Sequence, residues 1–253
     1  CRNDPGLPAG DGTKSVSASK GLSRVDWVGG ALVAYATAPG ETAFDAPEEN
    51  VGPYARALAD ALNDPRVRDA LLALPEHGVD LMIYEWSGSS DQTVILPWTT
   101  LSDAAALEGA IALLRSTERI AASPGTALGD AMQFGARQLA TRSDCRKHTL
   151  DISGDGISNF GPRPRDIRDS LQNTPLGPQG LIINGLVIGA KYAGLDDDGQ
   201  AEVGALASYY RAEVMLGPGA FVETAEGFGA VNRKPPLPSS FIQKKLLLLR
   251  PVK

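Results

Sequence analysis

The sequence predicts an α/β fold: a doubly wound, mostly parallel sheet with one antiparallel edge strand and helices on both faces. Three observations carry this. Short apolar runs alternate along the chain with segments whose apolar residues recur at helical spacing, the pattern of a parallel sheet wound with helices. Leu181-Ile182-Ile183-Asn184-Gly185-Leu186-Val187-Ile188 is apolar on both strand faces, as a strand covered on each side must be. The run from His148 ends in Gly154-Asp155-Gly156, which sets Asp155 at a strand's carboxyl end, where open α/β sheets bind ligands.

The elements follow in order. Residues 1–24 mix Gly, Pro, Ser, Lys and Asp without periodicity and read as a flexible tether, leaving 25–253 as the folded domain. Gly30 to Thr37 is the first, central strand, ended by Ala38-Pro39-Gly40. Val51, Tyr54, Ala55, Leu58, Ala61 and Leu62 fall on one helix face; Asn63-Asp64-Pro65 breaks that helix, and a second piece runs from Val67 to Leu74. Val79–Trp86 and Gln92–Trp98 are strands joined by Ser87–Asp91, too short for a parallel crossover, so they form an antiparallel edge hairpin. Ser102 is the expected cap of a helix burying Leu107, Ala110, Ile111 and Leu114. The loop Ser123–Thr126 leads into a helix burying Leu128, Ala131, Met132, Gly135 and Leu139. Strand 148–154, a loop with Pro162 and Pro164, a short helix over 166–172, strand 181–188, a helix over 200–216, strand 220–224 and a helix over 241–249 complete the domain. Asp196-Asp197-Asp198-Gly199 lacks the ligand spacing of an EF-hand and suits a helix N-terminus instead.

Composition removes several function classes. With 253 residues, a net charge of −6 and no Lys/Arg stripe, the chain offers no surface for nucleic acid. His77 and His148 are the only histidines and Cys145 the only internal thiol, so no tetrahedral zinc set can be assembled. Neither a Gly-x-Ser-x-Gly elbow nor a phosphate-binding Gly-x-x-x-x-Gly-Lys loop occurs. Trp27, Trp86 and Trp98 are expected as core anchors. No enzyme activity is expected.

The segment Asp151-Ile152-Ser153-Gly154-Asp155-Gly156-Ile157-Ser158-Asn159 resembles the fourth-strand motif of von Willebrand factor A domains, in particular of a bacterial extracytoplasmic family of that type with no assigned activity. Further matches are Tyr84–Gly88, Pro97-Trp98-Thr99, Gly125–Ala131, Ile183–Leu186, and Tyr209-Tyr210-Arg211 with Gly217–Phe221. They occur in the family's order and span from about Asn63 to the C-terminus, which makes the set specific where each alone is weak.

The resemblance implies a Rossmann-like sheet whose carboxyl edge holds a divalent cation through an Asp-x-Ser-x-Ser motif after the first strand, a threonine and an aspartate. Thr126 matches the threonine and Asp155 the aspartate. Where the first motif belongs, the chain reads Ala36-Thr37-Ala38-Pro39-Gly40-Glu41-Thr42-Ala43-Phe44-Asp45, and no register restores it. Two ligands are too few for magnesium's octahedral shell, so a degenerate, vacant site and no cofactor are expected. The bland roles of the survivors are a helix N-cap for Thr126 and a turn carboxylate for Asp155.

Two functions compete. One is a metal-independent module binding an envelope protein through Thr37, Glu41, Asp45, Thr126, Asp155 and Asn159, on the loops such folds gather at the ligand edge. The alternative is a cation-dependent adhesin or sensor holding Mg or Ca with Thr126, Asp155 and the substitutes Glu41 or Asp45. Paired-carboxylate hydrolysis by Asp155 and Glu41 is a third. Cys1 followed by a Gly/Pro-rich stretch resembles a mature bacterial lipoprotein, implying a membrane anchor and the periplasmic or cell-surface face of the outer membrane; a trimmed chain, or a Cys1–Cys145 disulfide, would also account for it.

Overall fold

The computed structural model describes residues 29–36, 53–73, 78–118, 125–174, 176, 180–189 and 197–225. Six strands form one sheet in the order β3-β2-β1-β4-β5-β6. They are β1 (Gly29–Ala36), β2 (Val79–Trp86), β3 (Gln92–Leu101), β4 (Lys147–Gly154), β5 (Leu181–Ile188) and β6 (Val222–Ala225). Every neighbouring pair is parallel except β2 with β3, so the expected architecture with one antiparallel edge strand is the one observed.

Period-two alternation divides the core into two layers. On β2, Val79, Leu81 and Ile83 face α1 (Pro53–Asn63), α2 (Pro65–Leu72) and α3 (Ala104–Arg115). Met82, Tyr84 and Trp86 face the other way, with Leu150 and Ile152 of β4, towards α4 (Leu128–Ala140), α5 (Pro164–Gln172) and α6 (Asp197–Glu213). β5 is buried along its whole length, as its two-faced apolarity requires.

Helix ends follow local chemistry, with corrections to the sequence expectation. Pro65 opens α2, and Asp64 caps it by accepting the Arg66 N–H at 2.9 Å. α3 is capped by Asp103, not Ser102: its carboxylate accepts the Ala106 N–H at 2.9 Å. β3 runs three residues past Trp98, because Thr99, Thr100 and Leu101 pair with Leu81, Asp80 and Val79 beyond a register shift that accommodates Pro97. α6 begins and ends three residues earlier than expected; Leu216 instead bridges Ile183, and Gly217 (φ +90°) brings the chain so close to the Leu181 carbonyl that a Cβ would stand 2.5 Å from it. Trp86 is a core anchor as expected, while Trp98 is only partly buried under the Arg142 guanidinium. Trp27, the tether and the helix expected over 241–249 lie outside the described residues. Among the described residues no helix is long and apolar enough to cross a membrane.

Candidate functional site

The strand order reverses at β1, which pairs with β2 on one side and β4 on the other. That reversal opens the carboxyl edge of a doubly wound sheet between its first and fourth strands. Asp155 leaves β4 at this edge, and residues 156–163 form the loop that descends to α5. The loop before α4 brings Thr126 to the same place.

The two loops are joined through Thr126. Its N–H donates to the Asn159 side-chain oxygen at 2.8 Å, and its carbonyl accepts the N–H groups of Asn159 (3.0 Å) and Phe160 (3.3 Å) and the Ser158 hydroxyl (3.1 Å). The next residue ties in the β2–β3 turn, since the Ala127 N–H donates to the Ser87 carbonyl at 2.7 Å. Ser158 is held from the other side, its N–H reaching the Tyr209 hydroxyl of α6 at 3.3 Å. Two glycines permit this approach: a Cβ on Gly129 would stand 2.2 Å from the Pro162 carbonyl oxygen, and one on Gly161 (φ +71°) would meet the Asp130 carboxylate.

The residues singled out in the sequence are therefore partly assembled. Thr126, Asp155 and Asn159 come together at the edge, whereas Cys1, Thr37, Glu41 and Asp45 lie outside the described residues. The expected capping role of Thr126 is corrected: the N-cap position belongs to Ala127, and the buried Thr126 hydroxyl makes no hydrogen bond. Asp155 is half-buried beside Tyr210, whose phenol is pushed up first by complete burial and then by the Asp155 charge. As donors for a divalent cation, Thr126 and Asp155 supply one hydroxyl and one carboxylate, well short of an octahedral oxygen shell. Among the described residues no group of three His, Cys, Asp or Glu side chains could hold a metal ion.

Sequence reasoning missed what the loop shows to solvent. Ile157 is 59% exposed and Phe160 61%, although both are large and apolar. Phe160 packs one side of its ring near Gly125, where a Cβ would come within 3.5 Å of it, and presents the remainder outward. The available signal was two large apolar residues inside a stretch otherwise made of Gly, Ser, Asn, Asp and Pro.

A family model described as "Protein of unknown function (DUF1194)" matches residues 47–234. The chain belongs to that family. Among solved structures it is similar to proximal thread matrix protein 1 of the mussel byssus, whose structure has a zinc-occupied MIDAS motif: 15% identity over 88% of this chain and 46% of that one, TM-score 0.52. A von Willebrand factor type A protein from Catenulispora acidiphila matches at 14% over 88% of this chain and 42% of that one, TM-score 0.52. The minor pilin PilB from Streptococcus sanguinis matches at 10% over 91% and 64%, TM-score 0.55. The chain spans less than two thirds of the length of each of these proteins. At such identities the likeness is one of fold, and the fold is that of von Willebrand factor A domains. No curated protein matches the chain in sequence.

Proposed function

We propose that this DUF1194-family chain is a non-enzymatic protein–protein interaction module of the bacterial cell envelope, anchored through a lipidated Cys1 on the periplasmic or outer face of the outer membrane. It binds its partner through the loops at the carboxyl edge of the sheet, without a metal ion. The observation that carries this is the exposure of Ile157 and Phe160 on a loop fixed by the hydrogen bonds to Thr126. Large apolar groups held in place lose little entropy on docking, and such residues dominate the energetics of interfaces. Fold neighbours that include a pilus adhesin and a minor pilin agree with an adhesive role outside the cytoplasm.

Photoreactive benzoylphenylalanine in place of Ile157 or Phe160, in cells producing the full chain, tests this. A covalent adduct is expected from both positions and not from Leu113, which is 41% exposed on α3. Adducts from Leu113 alone, or from none of the three, would remove the proposal.

One observation favours a second reading, a cation-dependent adhesin: the buried Thr126 hydroxyl without a hydrogen bond is a ready oxygen donor. Calorimetric titration with magnesium, calcium and manganese separates the two, since heat that disappears in Thr126→Val and Asp155→Asn would establish the cation.

A further inference from the structure

Phe160 stands among three carboxylates drawn from three loops. A Cβ on Gly125 would lie 3.5 Å from the Phe160 side chain and 3.4 Å from the Gly88 Cα, so the β2–β3 turn borders the exposed ring. Asp91 belongs to that turn, where its carboxylate accepts the Ser87 hydroxyl at 3.1 Å and the Gly88 N–H at 3.2 Å. Asp130, in the first turn of α4, sets its carboxylate against Gly161, the residue after Phe160. Asp155 opens the loop that carries Ile157 and Phe160. All three aspartates are partly exposed. Residues 87–91, 125–130 and 154–162 contain no Lys or Arg. The first cations beyond them, Arg163 and Arg165, stand at the start of α5, where Arg165 is paired with Glu213.

A separate observation points to a ligand that brings hydrogen-bond donors. The Thr126 hydroxyl belongs to a residue only 2% exposed and makes no hydrogen bond. A Cβ on Gly156 would meet it at 3.9 Å, so it faces the turn that follows Asp155. A buried hydroxyl left unpaired is costly, and a polar group carried in by a ligand removes that cost. A ligand carboxylate could accept from this hydroxyl, but it would arrive beside the like charge of Asp155. An ammonium or guanidinium brings both the donors and the opposite charge.

We propose that this edge takes an arginine or lysine side chain of the partner protein, set next to a large apolar one. The cationic head donates to Asp155 and to the Thr126 hydroxyl. Its stem crosses Phe160, whose ring attracts a cation, and the apolar neighbour lies against Ile157. Asp91 and Asp130 steer the approach. The proposal rests on the interaction role above and names the chemistry of what that role recognises.

The test is an amide chemical-shift titration of the full chain, with EDTA present, using acetyl-Gly-Leu-Arg-Leu-Gly-amide and the same peptide with Gln or Glu for Arg. The Arg peptide is expected to move the amides of residues 155–161 and to bind at least about fivefold more tightly than the Gln peptide, a difference in the range of one partly exposed charge-assisted contact. The Glu peptide is expected to bind more weakly than either. Asp155→Asn is expected to bring the Arg and Gln peptides within about twofold of each other, and Thr126→Val to weaken the Arg peptide about threefold. In the unmodified chain the Arg preference should shrink on going from about 0.05 to about 0.5 M salt, as the screening length falls to about 4 Å. No shift at these amides with about 5 mM Arg peptide, the weak end of measurable affinity, would overturn the proposal. So would equal binding of the Arg and Gln peptides, tightest binding of the Glu peptide, or a preference that survives Asp155→Asn or is unchanged by salt. Adducts at Phe160 that persist alongside any of those results leave the interaction role standing, whereas their absence in the unmodified background removes that role itself.

Discussion

Replacing Gly129 by alanine pits helix propensity against the attachment of the site loop. Alanine inside a helix is better than glycine by about 1 kcal/mol. On α4, however, the new Cβ would stand 2.2 Å from the Pro162 carbonyl oxygen and 3.0 Å from its carbon. An ordinary carbon–oxygen approach is about 3.3 Å, so the carbonyl must retreat by about 1.1 Å. The obstacle is backbone between Gly161 at φ +71° and the Arg163-Pro164 pair, where the chain has little freedom to turn aside. Overpacking of this kind costs about 1–3 kcal/mol, and the retreat pulls on the hydrogen bonds to Thr126, each contributing about 1 kcal/mol. The net expectation is a loss of about 2 kcal/mol and a fall in melting temperature of about 4–8 °C for a chain of this size. Gly109→Ala on α3 is the control: a Cβ there meets nothing within 4 Å, so the same exchange should stabilise by about 0.5–1 kcal/mol. Thermal melting followed by circular dichroism measures both, and hydrogen exchange at the Thr126, Asn159 and Phe160 amides reports whether the loops part. If Gly129→Ala melts at or above the unmodified protein, the close approach of α4 to the site loop is not what the geometry says.

Three further outcomes follow from the same structure. Asn159→Ala removes the acceptor of the Thr126 N–H; it should cost about 1–2 kcal/mol in urea unfolding and speed exchange at that amide, with far-UV dichroism unchanged. Asn184→Leu deletes a buried amide that donates to Asp151 at 2.8 Å and accepts the Phe221 N–H at 3.2 Å, so a loss of about 2–3 kcal/mol is expected from the urea midpoint. Burial raises the phenols of Tyr84 and Tyr210 above their usual value near 10. A folded-state value above the unfolded one gives stability that is whole below about pH 10 and is lost as pH rises past it, because the unfolded chain then releases protons the folded one keeps. Tyrosinate absorbance from these two residues should therefore appear together with alkaline unfolding, and in Tyr84→Phe the unfolding should begin at higher pH relative to its own neutral-pH stability.

The sequence by itself determined the sheet and its covering helices. The apolar run on β2 and two-sided apolarity on β5 leave few other ways to bury those side chains, and a five-residue connection makes β2 and β3 antiparallel whatever surrounds them. It also placed Thr126 and Asp155 at one edge, because residues that end strands and open helices share the carboxyl side of a parallel sheet. Tertiary structure alone decided what those residues do there. Whether Thr126 caps a helix depends on which residue first adopts helical backbone, and that is Ala127, leaving the hydroxyl unspent. The choice of Asp103 over Ser102 as a cap rests on where helical backbone begins: Ala104 is the first helical residue, so Asp103 precedes it and its carboxylate accepts the Ala106 N–H. The exposure of Ile157 and Phe160 depends on how the loop after β4 is held, by its hydrogen bonds to Thr126 and to the Tyr209 hydroxyl of α6. Periodicity records which face of an element is covered; it carries no information on what a loop between two elements turns outward, because nothing repeats there.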